Sequence, residues 1–331
     1  MSQYIGVDIG GTKVDVALYA LDDDAYQPLE RERFQSKSVQ GIEEILHGFM
    51  QKYQVACAKV SIGVAGVVTP DLGKVTNLPW QVEAARLSSM GFDSVLLIND
   101  MTAVCASIPL LTSDDLHVLQ QGQSNNGEIK AILAPGTGLG EGFLIHNETL
   151  YYPKGTEGGH TDFAPTDQEQ QELLSWLADH SEETISYENI CAGPAIATLF
   201  DFYCRSGVAP AEKTLSAIAQ SKDRTPAIVE AAQSGMCDAS TRALDLFLRV
   251  LGREAANLVM KMYATGGLYL GGGILPRLVG NWSFEPFLTA FHHQSTMQAL
   301  MQETPVRIIT RKDAALLGAA CYGRNHFLQQ R

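Results

Sequence analysis

At 331 residues, 45% of them hydrophobic, the chain can bury a large core and is long enough for two domains or lobes. Its formal net charge of -13 argues against a general affinity for nucleic acid or an anionic membrane, either of which would favour a basic surface, although an anion can still bind locally through backbone amides. The N-terminus offers no basic segment followed by an apolar one, and no run of about 18 apolar residues occurs, so a cytoplasmic protein is expected. Six scattered cysteines without a CxxC pair read as buried free thiols rather than metal ligands.

Residues 4–20 read as a hairpin, with strands Ile5–Ile9 and Val14–Leu18 joined by Gly10-Gly11-Thr12. Two glycines let backbone N–H groups approach a ligand, as in loops that bind phosphate oxygens; a plain hairpin turn is the alternative. Asp8 stands just before the turn. A carboxylate facing phosphates is repelled unless a cation lies between, so Asp8 points to a Mg²⁺ site, held directly or through water. Lys13 can reach a phosphate or remain in solvent. Helical spacing of Ile42, Ile45, Leu46 and Phe49 marks a core helix, and Val60–Val68 reads as one strand containing two glycines. The apolar run from Val95 ends in Asn99 and Asp100, at a corner between a buried strand and a helix. Polar groups there are candidate ligands, because open α/β sheets bind substrates beyond the carboxyl ends of their strands; they can equally cap the helix.

Lys130–Ile145 repeats the design of the N-terminus: strand Ala131–Ala134, the turn Gly136-Thr137-Gly138, and strand Glu141–Ile145. Two such hairpins could grip a polyphosphate from opposite sides. Neither GxGxxG before a helix nor a P-loop pattern is present. From Tyr151 to Pro165 the composition predicts a long loop in which Glu157 and His160 flank two glycines. That pair could bind metal, act as acid and base, hold sugar hydroxyls, or simply face solvent. Helices are expected over Gln168–His180, Gly193–Tyr203 and Arg242–Tyr263, with Glu188 on an exposed connection before the second. Leu268–Leu275 reads as a strand ending in Gly271, Gly272 and Gly273. Three adjacent glycines are costly in a regular element, and a flat ligand such as adenosine lying on bare backbone would justify them. Val306–Ile309 is a further strand, and Asp313 caps a last helix. No linker separates the halves, so the lobes share chain crossings.

Taken together, DIGGTK (Asp8–Lys13), INDMTA (Ile98–Ala103), APGTGLG (Ala134–Gly140), EGGHTDFAP (Glu157–Pro165), YENICAGPA (Tyr187–Ala195) and GGGILPR (Gly271–Arg277) resemble, in order, the motif set of bacterial glucokinases of the hexokinase/actin-like ATPase superfamily. The resemblance implies an α/β, two-lobed actin-like ATPase (ribonuclease H-like) fold. Mixed sheets are flanked by helices, each lobe is built on a duplicated βββαβα core, and the active-site cleft lies between the lobes. The small lobe would be 1–110, completed by the C-terminal helix at about 313–331, and the large lobe 111–312. Carried over by motif, Asp100 is the general base on the sugar 6-hydroxyl, and Asn99, Glu157, His160, Glu188 and Gly138 hold the substrate. Asp8, Gly10, Gly11, Thr12 and Lys13 form one phosphate loop, Gly136, Thr137 and Gly138 the other, and Gly271, Gly272 and Gly273 the adenosine motif. ATP and Mg²⁺, with Asp8 as the metal residue, are the implied cofactors. The implied partners are a hexose and ATP, without nucleic acid or membrane, in a cytoplasmic homodimer that makes glucose 6-phosphate. Another hexose (fructose, mannose or an N-acetylated amino sugar) and a non-catalytic sugar-responsive binding protein are the alternatives. ADP or polyphosphate could serve through the same loops. No cysteine lies between His160 and Cys191, so zinc is not expected. Asp15 and Glu141, near the two turns, have no catalytic role in this reading; they help hold Mg²⁺ or face solvent.

Overall fold

The computed structural model describes residues 2–55, 57–123, 127–147, 150–208 and 212–329, so the last two residues of the expected C-terminal segment lie outside the described ones. Two compact units divide the chain, Met1–Asp115 with Leu144–Gly155 and Arg311–Arg331, and Leu116–Phe143 with Thr156–Thr310. Residues 144–155, placed in the large lobe by the sequence, therefore belong to the first unit.

The first unit opens with β1 (Gln3–Ile9), β2 (Lys13–Ala20), β3 (Glu30–Gln35), α1 (Ile42–Tyr53) and β4 (Lys59–Val64). There follow β5 (Gly66–Val68), β6 (Leu72–Val75), β7 (Gln81–Glu83), α2 (Ala84–Ser89), β8 (Ser94–Asn99) and α3 (Asp100–Ser107). Its main sheet has the order β3-β2-β1-β4-β8, with β1, β4 and β8 parallel and β2 and β3 antiparallel to their neighbours. Asp8 lies beside Gly63, and Val64 beside Asn99, so the carboxyl ends of the three parallel strands share one edge. The core beneath contains the predicted face of α1 (Ile42, Ile45, Leu46 and Phe49) together with Leu316, Leu317 and Ala320 of the C-terminal helix (Ala314–Gln329). A Cβ on Gly318 of that helix would fall 1.6 Å from the Ala103 carbonyl, so glycine lets the helix lie directly on α3 and fix it.

Val60–Val68 is two strands rather than one. Ala65 still donates to the Ile9 carbonyl, and then Gly66, at φ 153°, turns the chain to pair with β6. Any side chain at Gly66 would strike the Lys74 carbonyl.

The second unit contains β9 (Leu116–Gln120), β10 (Ile129–Pro135) and β11 (Leu139–Asn147), the last running on into the first unit toward β12 (Leu150–Thr156). Helices α4 (Gln168–Ala178), α5 (Glu188–Cys191), α6 (Gly193–Arg205), α7 (Glu212–Gln220), α8 (Arg224–Gln233) and α9 (Asp238–Met262) follow. The unit closes with β13 (Leu268–Leu270), α10 (Leu275–Leu278), α11 (Glu285–His292), α12 (Gln298–Glu303) and β14 (Val306–Ile309). Strands β11, β10, β13, β14 and β9 adjoin in that order, with β10, β13 and β14 parallel. The α9 stripe Leu244, Phe247, Leu248, Leu251, Ala255, Leu258 and Val259 is buried in a core separate from that of the first unit.

Four further expectations are corrected. The loop expected from Tyr151 begins instead as strand β12, whose exposed Tyr151 and Tyr152 carry no alternating apolar signal. The connection before Glu188 is not exposed: Tyr187, Ile190 and Cys191 are buried and Glu188–Cys191 is helical. The strand before the triple glycine stops at Leu270, because Gly272 adopts φ 79° and leaves the extended conformation. Asp313 does not act through its side chain as a simple cap; its carboxylate receives Arg31 and Arg311.

Candidate active site

In the first unit the strand register sets a row of charge. Asp8 on β1 lies opposite Asp15 on β2, which lies opposite Arg33 on β3. Asp15, only 2% exposed, accepts two hydrogen bonds from Arg33, at 2.9 and 3.0 Å, and one from Arg31 at 3.3 Å. Its carboxylate is thus satisfied by arginines and neither faces solvent nor is free for a metal ion. Asp8 differs. Although it keeps some accessible surface, burial, then Asp100, then Asp15 push its carboxyl up to about 7, against the opposing pull of Lys13 and Arg33.

The Gly10-Gly11-Thr12 turn is closed by Gly10 N–H donating to the Lys13 carbonyl at 2.9 Å. Ser36, fully buried, braces it from outside: its hydroxyl donates to the Gly10 carbonyl at 2.9 Å and its N–H to the Thr12 carbonyl at 3.0 Å. Sequence reasoning missed Ser36, which follows a charged edge strand and matches no motif. Thr12 and Lys13 are exposed.

At the end of β8 the two readings of the Asn99-Asp100 corner divide between the residues. Asn99 is the N-cap of α3, its side-chain oxygen accepting from Met101 N–H at 2.9 Å and Thr102 N–H at 3.3 Å. Its amide also donates to the Gly66 carbonyl at 3.1 Å, which leaves one N–H to offer a ligand. Asp100 is the first helical residue, with a side-chain oxygen 2.9 Å from Met101 N. A carboxylate at a helix N-terminus is favoured by the aligned backbone dipoles, and the cap fixes where it points. Gly155, two residues before Glu157, donates its N–H to the Thr102 hydroxyl at 2.9 Å, and a Cβ there would meet Asn99 Oδ1 at 2.6 Å.

In the second unit Glu157, His160 and Glu188 come together. Pairing of Phe163 N–H with the Ile185 carbonyl and of Tyr187 N–H with the Thr161 carbonyl draws the two segments side by side. His160 then stands between two carboxylates, Nε2 3.9 Å from Glu157 and Nδ1 3.9 Å from Glu188. The other Glu188 oxygen accepts Leu139 N–H at 2.8 Å, directly after the Gly136-Thr137-Gly138 turn. A Cβ on Gly138 would lie 2.4 Å from that oxygen, which explains the glycine.

The Gly136 turn is closed by Gly136 N–H to the Gly138 carbonyl at 2.8 Å and braced by Gly193, whose N–H donates to the Gly136 carbonyl at 2.7 Å. Thr225, at the start of α8, in turn donates to the Gly193 carbonyl at 2.9 Å. Because β10 and β13 are parallel neighbours, Gly271–Gly273 emerges beside this turn. Gly272 presses on the Pro135 carbonyl, where a Cβ would sit 2.1 Å away, whereas Gly273 has nothing within 4 Å of a Cβ and leaves its backbone bare.

These residues fit a nucleotide and a divalent cation. Bare backbone at two adjacent strand ends suits a polyphosphate and a flat base. At the other turn the Asp100 and Asp15 carboxylates act on Asp8, which bears an excess of negative surroundings that a cation would relieve. Among the described residues no cluster of three His, Cys, Asp or Glu side chains is suited to a metal ion, so Asp8 would act as a lone protein carboxylate.

A family model described as Glucokinase matches residues 5–326. The chain is 32% identical to a glucokinase of Nostoc punctiforme over 97% of this chain and 98% of that one. In structure it is similar to a glucokinase from an Antarctic psychrotroph, with TM-score 0.84, 26% identity and coverage of 98% and 99%. A glucokinase from Balamuthia mandrillaris crystallised with glucose shares the fold, at TM-score 0.79 and 21% identity over 98% and 94% of the two chains. The fold is thus the α/β actin-like ATPase fold of these sugar kinases, and the chain belongs to the glucokinase family.

Proposed function

We propose that the protein transfers the terminal phosphoryl group of ATP to the 6-hydroxyl of glucose, with Asp100 as general base. The observation that carries this reading is Glu188. One of its oxygens receives the N–H that follows the Gly136–Gly138 turn and the other faces His160, so a phosphate-binding turn and a hydroxyl-binding set are one construction. Glu157, His160 and Glu188 hold sugar hydroxyls, helped by the spare N–H of Asn99. Gly10, Gly11, Thr12 and Lys13, with Gly136, Thr137 and Gly138, hold phosphates, and Gly271–Gly273 carries the adenosine.

Phosphoryl transfer leaves a protein little covalent work; it needs alignment, charge neutralisation and an oriented nucleophile. Asp100 accepts the proton as the hydroxyl attacks, and Asn99 keeps the carboxylate in place at the helix start. Asp8 would hold Mg²⁺, which when bound offsets the charge of the phosphate oxygens. Six free cysteines fit a cytoplasmic, reducing setting, and no described helix is long and apolar enough to cross a membrane. A homodimer is proposed with it, to be checked by light scattering.

The test is a coupled assay crossing a hexose panel with ATP, ADP and polyphosphate. We expect glucose with ATP to give a kcat/KM about tenfold or more above fructose, mannose and N-acetylated amino sugars. A higher kcat/KM for another hexose overturns the glucose assignment, and sugar binding without turnover favours a non-catalytic binding protein.

A further inference from the structure

Beneath the Glu157–His160 turn lies a buried acid that the proposed reaction does not use. Glu141 alternates with Leu139 on the inward face of β11, and only 2% of its surface is exposed. Gly158 and Gly159 lie flat upon these two residues. A Cβ on Gly158 would fall 2.0 Å from Glu141 Oε2, and one on Gly159 would fall 2.1 Å from the Leu139 carbonyl. The glycines between Glu157 and His160 are therefore required by what is under them as well as by what they flank. Glu141 Oε1 is buried and has no hydrogen-bond partner among the described residues.

The surroundings of Glu141 oppose a negative charge. From α9, Glu254, fully buried, faces it; Asn257 donates to Glu254 at 2.9 Å, and Lys261 lies 3.5 Å from its other oxygen. Tyr187 accepts a hydrogen bond from Asn257 at 3.2 Å, and both glutamates act on Cys191; burial first holds this phenol and this thiol protonated. The turn itself carries Glu157 and His160, both exposed. Lys261 is the cation that acts on Glu141, and its contact is with Glu254. Burial first, and Glu254 second, raise the Glu141 carboxyl to about 8.

We propose that Glu141 is a positioning residue for sugar binding: its neutral carboxyl is the floor on which Gly158 and Gly159 rest, and its ionisation unseats the turn that carries Glu157 and His160. A neutral acid can pack against the Gly158 backbone and keep its proton on the unpartnered oxygen. An ionised one has no donor there and faces a second carboxylate, so it must move toward water, and Gly158, which lies directly on it, has no side chain to resist.

The inference rests on the reading of this turn as the sugar site, and the experiment separates the two. Glucose Kd is measured by calorimetry without nucleotide, so that neither Asp100 nor phosphate binding contributes. Wild-type Kd should be flat below pH 7 and rise about tenfold by pH 9, as expected when only the protonated form binds well. Glu141→Ala, which removes the floor, should raise Kd about tenfold at pH 7. Glu141→Gln, neutral at every pH and of the same shape, should restore tight binding and abolish the alkaline rise. A wild-type Kd that does not change to pH 9, or a rise that persists in Glu141→Gln, overturns the inference alone. If Glu157→Gln leaves Kd at pH 7 unchanged, the turn does not hold the sugar, and both readings fall.

Discussion

The two glycine turns look alike in sequence and differ in how they are built. Each follows a parallel strand, each is closed by one backbone hydrogen bond, and each is braced by a hydroxyl-bearing residue remote in sequence, Ser36 in one case and Thr225 through Gly193 in the other. The Gly10 turn, however, stands in a field of side-chain charge, with Asp8, Asp15 and Asp100 set against Lys13, Arg31 and Arg33. The Gly136 turn has one charged side chain against it, Glu188 at Gly138, and otherwise stands among backbone atoms, with Gly272 against the Pro135 carbonyl and Gly193 against that of Gly136. Charge can act on the reacting groups and a cation, whereas bare amides can only receive and orient phosphates. The repeated motif is thus one solution for approach to a ligand, used twice with different chemistry around it.

If the charged turn is the reacting side, the largest effect should come from Asp100. Asp100→Asn keeps the helix start and should lower kcat about 10²–10⁴-fold while glucose Kd changes less than about threefold. Loss of binding with kcat intact would reverse the roles of Asn99 and Asp100. Asp8→Asn should come next, raising the Mg²⁺ and ATP requirements by about 10–100-fold. Because the folded Asp8 carboxyl sits near 7, above its ordinary range, wild-type turnover should fall as pH drops through about 7, and the variant should lack that limb. Linkage gives the opposite sign for stability. A raised carboxyl stabilises the fold fully only below its ordinary range, and that contribution is lost as pH rises through about 7. At pH 8 Asp8→Asn should therefore melt about 2–4 °C higher than wild type while being the poorer enzyme. A lower melting temperature would mean that Asp8 is held by partners rather than strained by burial.

The backbone turn should answer to a different probe. Gly11 and Gly136 have room for a methyl group, their nearest neighbours being the Thr76 carbonyl at 3.8 Å and the Gly138 carbonyl at 4.0 Å, whereas Gly272 has none. Alanine at Gly11 or Gly136 should leave the melting temperature unchanged and raise the KM for ATP about tenfold, because the space is needed only when a ligand is bound. Gly272→Ala, at positive φ and against a carbonyl, should instead cost about 1–3 kcal/mol of stability. Equal loss of stability at all three positions would show that the glycines serve packing alone.

Much of this was legible in the chain because it depends on local chemistry. Both hairpins, the β8–α3 corner, the long α9 stripe and β14 follow from alternation, helical spacing and glycine placement. Illegible features depend on partners distant in sequence. Asp15 and Glu141 both read from sequence as acids that help hold Mg²⁺ or face solvent; β3 brings Arg31 and Arg33 to the first, and the Gly158 turn closes over the second. Strand β12 escaped because its exposed aromatics break the alternation a strand reading needs. Helices α7, α8, α11 and α12 were not delimited, since each is short, between 6 and 10 residues, and gives helical spacing too few turns to repeat.

The smallest effects lie in the braces, and they ask whether the two turns are equally rigid. Ser36→Ala removes one hydroxyl bond to the Gly10 carbonyl from a buried site, while the Ser36 N–H bond to Thr12 remains. Thr225→Val removes the hydroxyl bond to Gly193 but leaves Gly193 itself bonded to Gly136. Each should cost about 0.5–1.5 kcal/mol in stability. Their kinetic effects should differ, because Ser36 touches its turn directly and Thr225 acts through a second residue. Ser36→Ala should raise the KM for ATP about threefold to fivefold, against less than about twofold for Thr225→Val, with kcat nearly constant in both. If Thr225→Val is instead the more damaging, the Gly193 link transmits strain as faithfully as direct contact. The backbone-built turn would then be the stiffer of the two, since a perturbation at α8 would cross two hydrogen bonds without being absorbed.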